Sequence, residues 1–302
     1  MTLPVVHHPD YQAPLPPRHR FPMGKYAAVM EALVAEGLAG PGSIVTPDPA
    51  SAALIAGAHD PAYVAAVFDG TLDAAAQRRI GVPLTPELAR RARLAAAGTL
   101  CAARLALIHG IACNTAGGSH HAHAGFGAGF CVFNDVAVAA RALLGEGAVA
   151  QVLVVDLDVH QGDGTAALFA GEPAVFTYSM HCEANFPVRK QVSDLDIGLA
   201  AGTGDGAYLD ALDQVLVPLI ASLRPDLVFY NAGVDVHQSD RLGRLALTDA
   251  GLAAREARVL GACKAAGVPV VTVLGGGYGE DIAAIAARHV TVFRTAAALF
   301  TC

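Results

Sequence analysis

Three acids and a histidine fall within eight positions of one segment: Asp156, Asp158, His160 and Asp163. The run Val152-Leu153-Val154-Val155 just before them is continuously apolar, which fits a strand covered on both faces. A strand alternates its side chains with period two, so Asp156, Asp158 and His160 leave on one side if the strand runs on. Carboxylate and imidazole converging at a strand end can bind a divalent metal. The plain alternative is an acidic turn built on Asp163-Gly164. Ionisable groups crowded directly after a buried strand are costly unless something compensates them, and that favours the metal.

Three other segments carry matching chemistry. His120 and His121 stand in tandem before the glycine-rich stretch 125–130. Asp235 follows the apolar run Leu227-Val228-Phe229-Tyr230, and Tyr278 follows Gly275-Gly276-Gly277. Each has an ordinary reading as a solvated loop or a tight turn, and taken singly neither reading dominates. Taken jointly they describe a hydrolytic site. Asp158, His160 and Asp235 would give three metal ligands with a fourth position open, the layout of a catalytic zinc site. Paired histidines can act as general base and acid if carboxylates fix their tautomers, and Asp156 and Asp163 lie in the right segment. A tyrosine hydroxyl opposite the metal can hydrogen-bond a developing oxyanion. The sum is metal-assisted hydrolysis of an amide.

Such residues need a frame that brings distant segments together. Apolar runs predict strands over 3–7, 44–47, 111–114, 152–155, 174–180, 227–230 and 268–274. Between them, amphipathic stretches predict helices over 26–36, 85–108, 134–145, 165–170, 205–223, 248–266 and 281–298, with another opening at Pro61 behind Asp60 as N-cap. Arg78 and Arg79 read as solvated residues of a connecting segment. Strand and helix alternate with no repeat or linker, which predicts a single α/β domain over 1–302, its mostly parallel sheet flanked by helices on both faces. In such sheets ligands bind outside the carboxyl ends of the strands, where all four segments would lie.

Composition narrows the class. The chain has 302 residues, 54% hydrophobic and 16% charged, enough for a large core. Its net charge of −7 gives no sign of nucleic-acid binding. Apolar runs are broken well short of the roughly 20 residues a membrane span needs, and the N-terminus has no signal-peptide pattern, so a cytoplasmic protein is expected. The six cysteines, at 101, 113, 131, 182, 263 and 302, are scattered and read as free, mostly buried thiols.

The segments GGSHHAHAGFGAGFCVFND (117–135), VVDLDVHQGDGT (154–165), YNAGVDVHQSDRLGRLALTDAG (230–251), LGGGYGED (274–281) and HRFPMGKY (19–26) together resemble the zinc-dependent histone deacetylase superfamily. That superfamily includes acetylpolyamine amidohydrolases and acetoin-utilisation proteins, and the match is nearest to its class IV branch and bacterial relatives. The resemblance implies the arginase/deacetylase fold and one zinc ion on Asp158, His160 and Asp235. It implies that His120 is backed by Asp156 and His121 by Asp163, with His121 favoured as base and Tyr278 polarising the carbonyl. It further implies a substrate channel walled by Gly129, Phe130, Phe186 and Leu242. A structural monovalent cation, usually potassium, is implied near Asp156, Asp158, His160, Ser179 and Met180.

There are departures. Three glycines precede Tyr278 where many relatives have four, and Gln161 stands where other branches have a second histidine. The paired-metal D-A-H-x-D pattern of arginases is missing. The expected activity is removal of an acetyl or longer acyl group from the ε-amine of lysine in a protein or peptide. The alternative substrate is an acetylpolyamine or another small amide, which an acidic rim formed by Asp10, Glu183 or Asp240 would favour. Oligomeric state is left open.

Overall fold

Apolar runs of four or five residues buried on both faces demand a parallel sheet covered by crossover helices. The structure, a computed structural model, describes residues 2–301. The chain begins with β1 (Val5–Val6), α1 (Lys25–Ala35), β2 (Ile44–Val45), α2 (Ala52–Ala56), α3 (Pro61–Phe68), α4 (Ala74–Ile80) and α5 (Pro86–His109). It continues with β3 (Ile111–Asn114), α6 (Asp135–Gly145), β4 (Val152–Asp156), α7 (Asp163–Phe169), β5 (Val175–Cys182) and β6 (Leu195–Leu199). It closes with α8 (Asp205–Leu223), β7 (Leu227–Asn231), α9 (Asp249–Ala266), β8 (Val270–Val273) and α10 (Ile282–Phe300). All eight strands join one parallel sheet in the order β2-β1-β3-β8-β7-β4-β5-β6. Helices α1, α10, α9 and α8 pack side by side in one layer, and α5, α6 and α7 with α2 and α3 in another. This is the single α/β domain that the alternation of elements predicts.

Local sequence explains most boundaries. Thr85 Oγ1 accepts the Leu88 N–H at the start of α5, with Pro86 in its first turn, and Gly110 ends it in the left-handed conformation. Asn134 and Thr248 cap α6 and α9 in the same way. Asp60 precedes Pro61 as expected, but its side chain makes no cap bond, so only its backbone serves the start of α3.

Three elements go beyond the sequence pattern. The edge strand β6 is half exposed along its length and reads Leu-Asp-Ile-Gly-Leu, too polar to register as an apolar run. Helix α2 is a five-residue turn capped by Ser51. Helix α4, capped by Asp73 and closed by Gly81, contains Arg78 and Arg79, which are exposed as expected but helical. Helices α8 and α10 are, at 19 residues each, long and apolar enough to cross a membrane, which the broken apolar runs do not suggest. In α8 the buried residues Tyr208, Leu212, Leu216 and Ile220 form one stripe, while Asp213 pairs with Arg258 of α9. Five cysteines are free, four of them buried, and Cys302 lies outside the described residues.

Candidate active site

Strands β3, β8, β7 and β4 are neighbours at the centre of the sheet, and the loops after their carboxyl ends are the four that carry the candidate residues. Strand β4 closes at Asp156, so Asp158 and His160 lie on the loop beyond it rather than on a continuing strand. The loop still turns them to one place. Asp158 Oδ1 is 3.0 Å and Asp235 Oδ2 3.1 Å from His160 Nδ1. Candidate ligand atoms of the three residues all lie within 4.8 Å of one another, and all three side chains are buried.

The surroundings of this trio hold it in position. Asp158 Oδ2 accepts the Gly276 N–H at 2.7 Å, and Asp235 Oδ1 accepts the Val159 N–H at 3.0 Å. A Cβ at position 276 would stand 1.9 Å from Asp235 Oδ2, so only glycine lets the β8 loop approach the carboxylates. Arg255 of α9, fully buried, donates from Nη1 to the Leu157 carbonyl at 3.1 Å and the Gly233 carbonyl at 2.7 Å. One guanidinium thus ties together the two loops that present Asp158 and Asp235. Glu256 balances its charge, and the Tyr230 hydroxyl donates to Glu256.

Electrostatics shows which charge the trio favours between its members. Burial and the neighbouring Asp158 carboxylate push Asp235 up to about 7. His160 is raised too: burial disfavours its charge, yet Asp158 and Asp235 hold it up to about 10. Two buried carboxylates thus draw positive charge into the space between them. Two carboxylate oxygens and one imidazole nitrogen suit a divalent zinc ion, which would supply that charge.

The tandem histidines lie beside this cluster. His120 Nδ1 donates to Asp156 Oδ2 and His121 Nδ1 to Asp163 Oδ1, each at 2.6 Å, while the two Nε2 atoms are 3.1 Å apart. Burial opposes a charge on His120, but Asp156 and Asp158 outweigh it and raise the imidazole to about 9. Burial and the adjacent His120 lower His121 to about 4, although Asp163 works against both. The two imidazoles therefore feel opposite fields: the carboxylates favour charge on His120, while burial and His120 disfavour it on His121. His123, which the sequence does not single out, shares Asp163 through its Nε2 at 3.2 Å. Asn231 is another support that sequence reasoning misses: its Nδ2 donates to Asp156 Oδ1 at 2.9 Å, and its place at the end of β7 is the only signal.

Tyr278 is held by its own backbone N–H, which donates to Asp240 Oδ2 at 2.6 Å. Burial, then the Asp158 and Asp235 carboxylates, push its phenol well above the ordinary value, so the hydroxyl keeps its proton. Lys25, at the start of α1 and fully buried, donates to the Gly275 carbonyl at 2.9 Å and sits 5.7 Å from the Tyr278 ring centre. A helix-start lysine, ordinarily a solvated residue, thus braces the glycine loop.

A cavity of about 370 Å³ opens onto these groups. Gly129, Phe130, Phe186 and Leu242 line it, and His121, His160 and Tyr278 are also in its wall. Gly129 has φ 53°, and a Cβ there would fall 2.4 Å from His121 Cδ2, so the loop can pass this ring only as glycine. The Phe186 ring meets His121 edge-on at 4.8 Å. Behind the histidines a second void of about 20 Å³ touches Asp158, Gly276 and Tyr278. Gln161 points away from the cavity and ties its loop to Gln191 and Asp196. For the monovalent-cation residues, Asp156 and Ser179 are partners across the β4–β5 ladder, and Met180 follows on β5.

Comparison with known proteins agrees with this architecture. A family model described as the histone deacetylase domain matches residues 19–293. An uncharacterized protein of Picosynechococcus sp. is 50% identical over 98% of this chain and 99% of its own length. A probable deacetylase of Archaeoglobus fulgidus is 30% identical over 93% of this chain and 82% of its own. Histone deacetylase 2 of Arabidopsis thaliana is 28% identical over 90% of this chain and 73% of its own. The crystal structure of the HDA15 HD domain superposes with a TM-score of 0.79 at 24% identity, over 96% of this chain and 90% of that one, and shares the fold. With one family model spanning almost the whole sheet and the active-site loops beyond it, the chain belongs to the histone deacetylase family of hydrolases.

Proposed function

We propose that this hydrolase is a zinc-dependent lysine deacylase, which removes an acyl group from the ε-amine of lysine in a protein or peptide. The observation that carries the reading is the cavity walled by Gly129, Phe130, Phe186 and Leu242 and ending on His121, His160 and Tyr278. A passage with apolar walls and a polar end suits an unbranched alkyl stem ending in an amide. Zinc held by Asp158, His160 and Asp235 would supply Lewis acidity, polarising the amide carbonyl and acidifying a water.

The chain's own groups do the rest. His121, neutral and facing the cavity, takes the proton from the attacking water. Asp163 on its Nδ1 fixes the tautomer in which Nε2 carries the lone pair that accepts that proton. His120, buried behind it and drawn toward its charged form by Asp156 against the cost of burial, favours the negative charge that develops on the carbonyl oxygen and tunes its neighbour. The Tyr278 hydroxyl donates to that same oxygen. The proton then passes from the histidine pair to the departing lysine amine. The void behind the histidines has room for about one water, which favours a short acyl group over a long one. A potassium ion among the oxygens around Asp156, Asp158, His160, Ser179 and Met180 would stiffen the β4 and β5 ends.

The alternative substrate, an acetylpolyamine, draws no support from the rim. Asp10 pairs with Arg90, Asp240 turns inward to Leu242, Gly243 and Tyr278, and none of Asp10, Glu183 and Asp240 lines the cavity. The test is a hydrolysis panel on the zinc-loaded protein: acetyl-, lactyl- and long-acyl-lysine peptides beside acetylpolyamines. Turnover of acetyl-lysine peptide is the expected result. Turnover of the polyamines with no peptide hydrolysed would sink the lysine assignment.

A further inference from the structure

The mouth of the cavity is basic on an acidic protein. Arg20 from the loop before α1, Arg78 and Arg79 from the last turn of α4, and Arg244 from the loop after β7 all line it, and no Asp or Glu does. The chain as a whole carries a net charge of −7. All four arginines are exposed. Eight other arginines, at 90, 104, 141, 241, 255, 258, 288 and 294, have carboxylate partners. Among the described residues the four at the mouth have no such ion pair.

Ordinary roles account for part of this arrangement. Arg78 and Arg79 suit the negative end of a helix dipole, and the Arg79 guanidinium lies 4.7 Å from the Phe126 ring centre. Neither reason reaches Arg244. Its backbone is fixed at both ends, the N–H donating to Asn185 Oδ1 and the carbonyl accepting from Gly202, while its side chain stays at the mouth. Arg20 stands 6.0 Å from the Phe130 ring centre, beside the channel wall itself. The nearest acid in sequence to the lining, Glu183, approaches His181 at 3.8 Å. Three segments remote in sequence thus bring unneutralised guanidinium groups to one opening. Such a concentration of one sign raises the local concentration of oppositely charged ligands and repels like charge.

We infer that the acyl-lysine taken by this site lies in an acidic segment, whose Asp or Glu side chains are read by Arg20, Arg78, Arg79 and Arg244. The inference rests on the lysine-deacylase reading and adds the class of sequence around the lysine. The acylated lysine is itself neutral, so the field of the mouth acts on the flanking residues. Guanidinium groups, with their planar fork of donors, suit carboxylates in particular. The same field works against a cationic polyamine.

The test uses the full zinc-loaded chain and matched acetyl-lysine peptides whose neighbours within two positions are acidic, neutral or basic. At low salt the acidic peptide should exceed the neutral one by about tenfold in kcat/KM, chiefly through KM, as a few exposed ion pairs of a few-fold each would multiply to. The basic peptide should fall below the neutral one. The acidic-to-neutral ratio should shrink severalfold between about 0.05 M and about 0.5 M NaCl, as screening shortens the reach of the charges. The Arg79→Gln/Arg244→Gln double variant should lower that ratio at least about threefold, whereas Arg258→Gln, whose partner is Asp213, should leave it alone. Equal kcat/KM for acidic and neutral peptides, or a ratio that neither salt nor the double variant moves, would overturn the inference and leave lysine deacylation standing. Hydrolysis of acetylpolyamine with no peptide turned over would remove both.

Discussion

Tyr278 and His121 show how one buried pocket widens the pH range over which a protonated tyrosine and a neutral histidine stand side by side. The carboxylates of Asp158 and Asp235 reinforce burial in keeping the tyrosine protonated. Burial and the neighbouring His120 lower His121 to about 4. The pocket therefore offers a hydroxyl that can donate and an imidazole that can accept at the same pH, as the proposed mechanism requires. Tyr278→Phe removes only the donor and should lower kcat at least about a hundredfold. His121→Ala should cost a similar factor by removing the base. Steady-state kinetics on an acetyl-lysine peptide checks both, and a near-normal kcat in either variant would take that residue out of the mechanism. These two residues are readable from sequence because tandem histidines and a tyrosine after a glycine run are unusual at strand ends. The resemblance in sequence also favours His121 as base. Lys25 is not readable, since nothing in its neighbours marks a helix-start lysine as fully buried under a glycine loop.

At the scale of elements, the four loops depend on what holds their backbones, and α9 contributes the main clamp. Arg255 bridges the Leu157 and Gly233 carbonyls from a fully buried position, with Glu256 beside it as counter-charge. Arg255→Ala strips two carbonyls of their donor and leaves Glu256 buried without its counter-charge. Equilibrium unfolding in urea should show a loss of about 3–5 kcal/mol, the usual cost of breaking a buried pair. A variant of unchanged midpoint would show that the clamp bears no weight. The central strands are legible because four or five apolar residues in a row, bounded by turn residues, fit few places but a sheet covered on both faces. Helix ends are legible where Thr85 and Gly267 supply caps. Strand β6 and helix α4 escape because a polar edge strand and a seven-residue helix carry too little periodicity. Arg255 escapes for a related reason: a charge on an amphipathic helix reads as solvated, and only the packing of α8 and α9 on the sheet shows otherwise.

For the molecule as a whole, the site exists only because β3, β8, β7 and β4 lie side by side, although they are far from consecutive in sequence. Asp158 and His160 come from one loop and Asp235 from another, so a bound ion would cross-link two parts of the sheet. Loading zinc at about a hundredfold excess over its Kd should therefore raise the unfolding free energy by about 2.7 kcal/mol, visible as a higher Tm that a chelator reverses. Asp235→Ala should abolish most of that shift, because a site of two ligands loses both charge and geometry. The most direct measurement is a zinc titration of chelator-stripped protein, followed by hydrolysis of an acetyl-lysine peptide. Metal-free protein should be inactive, and activity should rise to a plateau at about one zinc per chain, as one three-ligand site with an open position requires. Full turnover by the stripped protein, with no response to added zinc, would contradict a zinc mechanism at Asp158, His160 and Asp235.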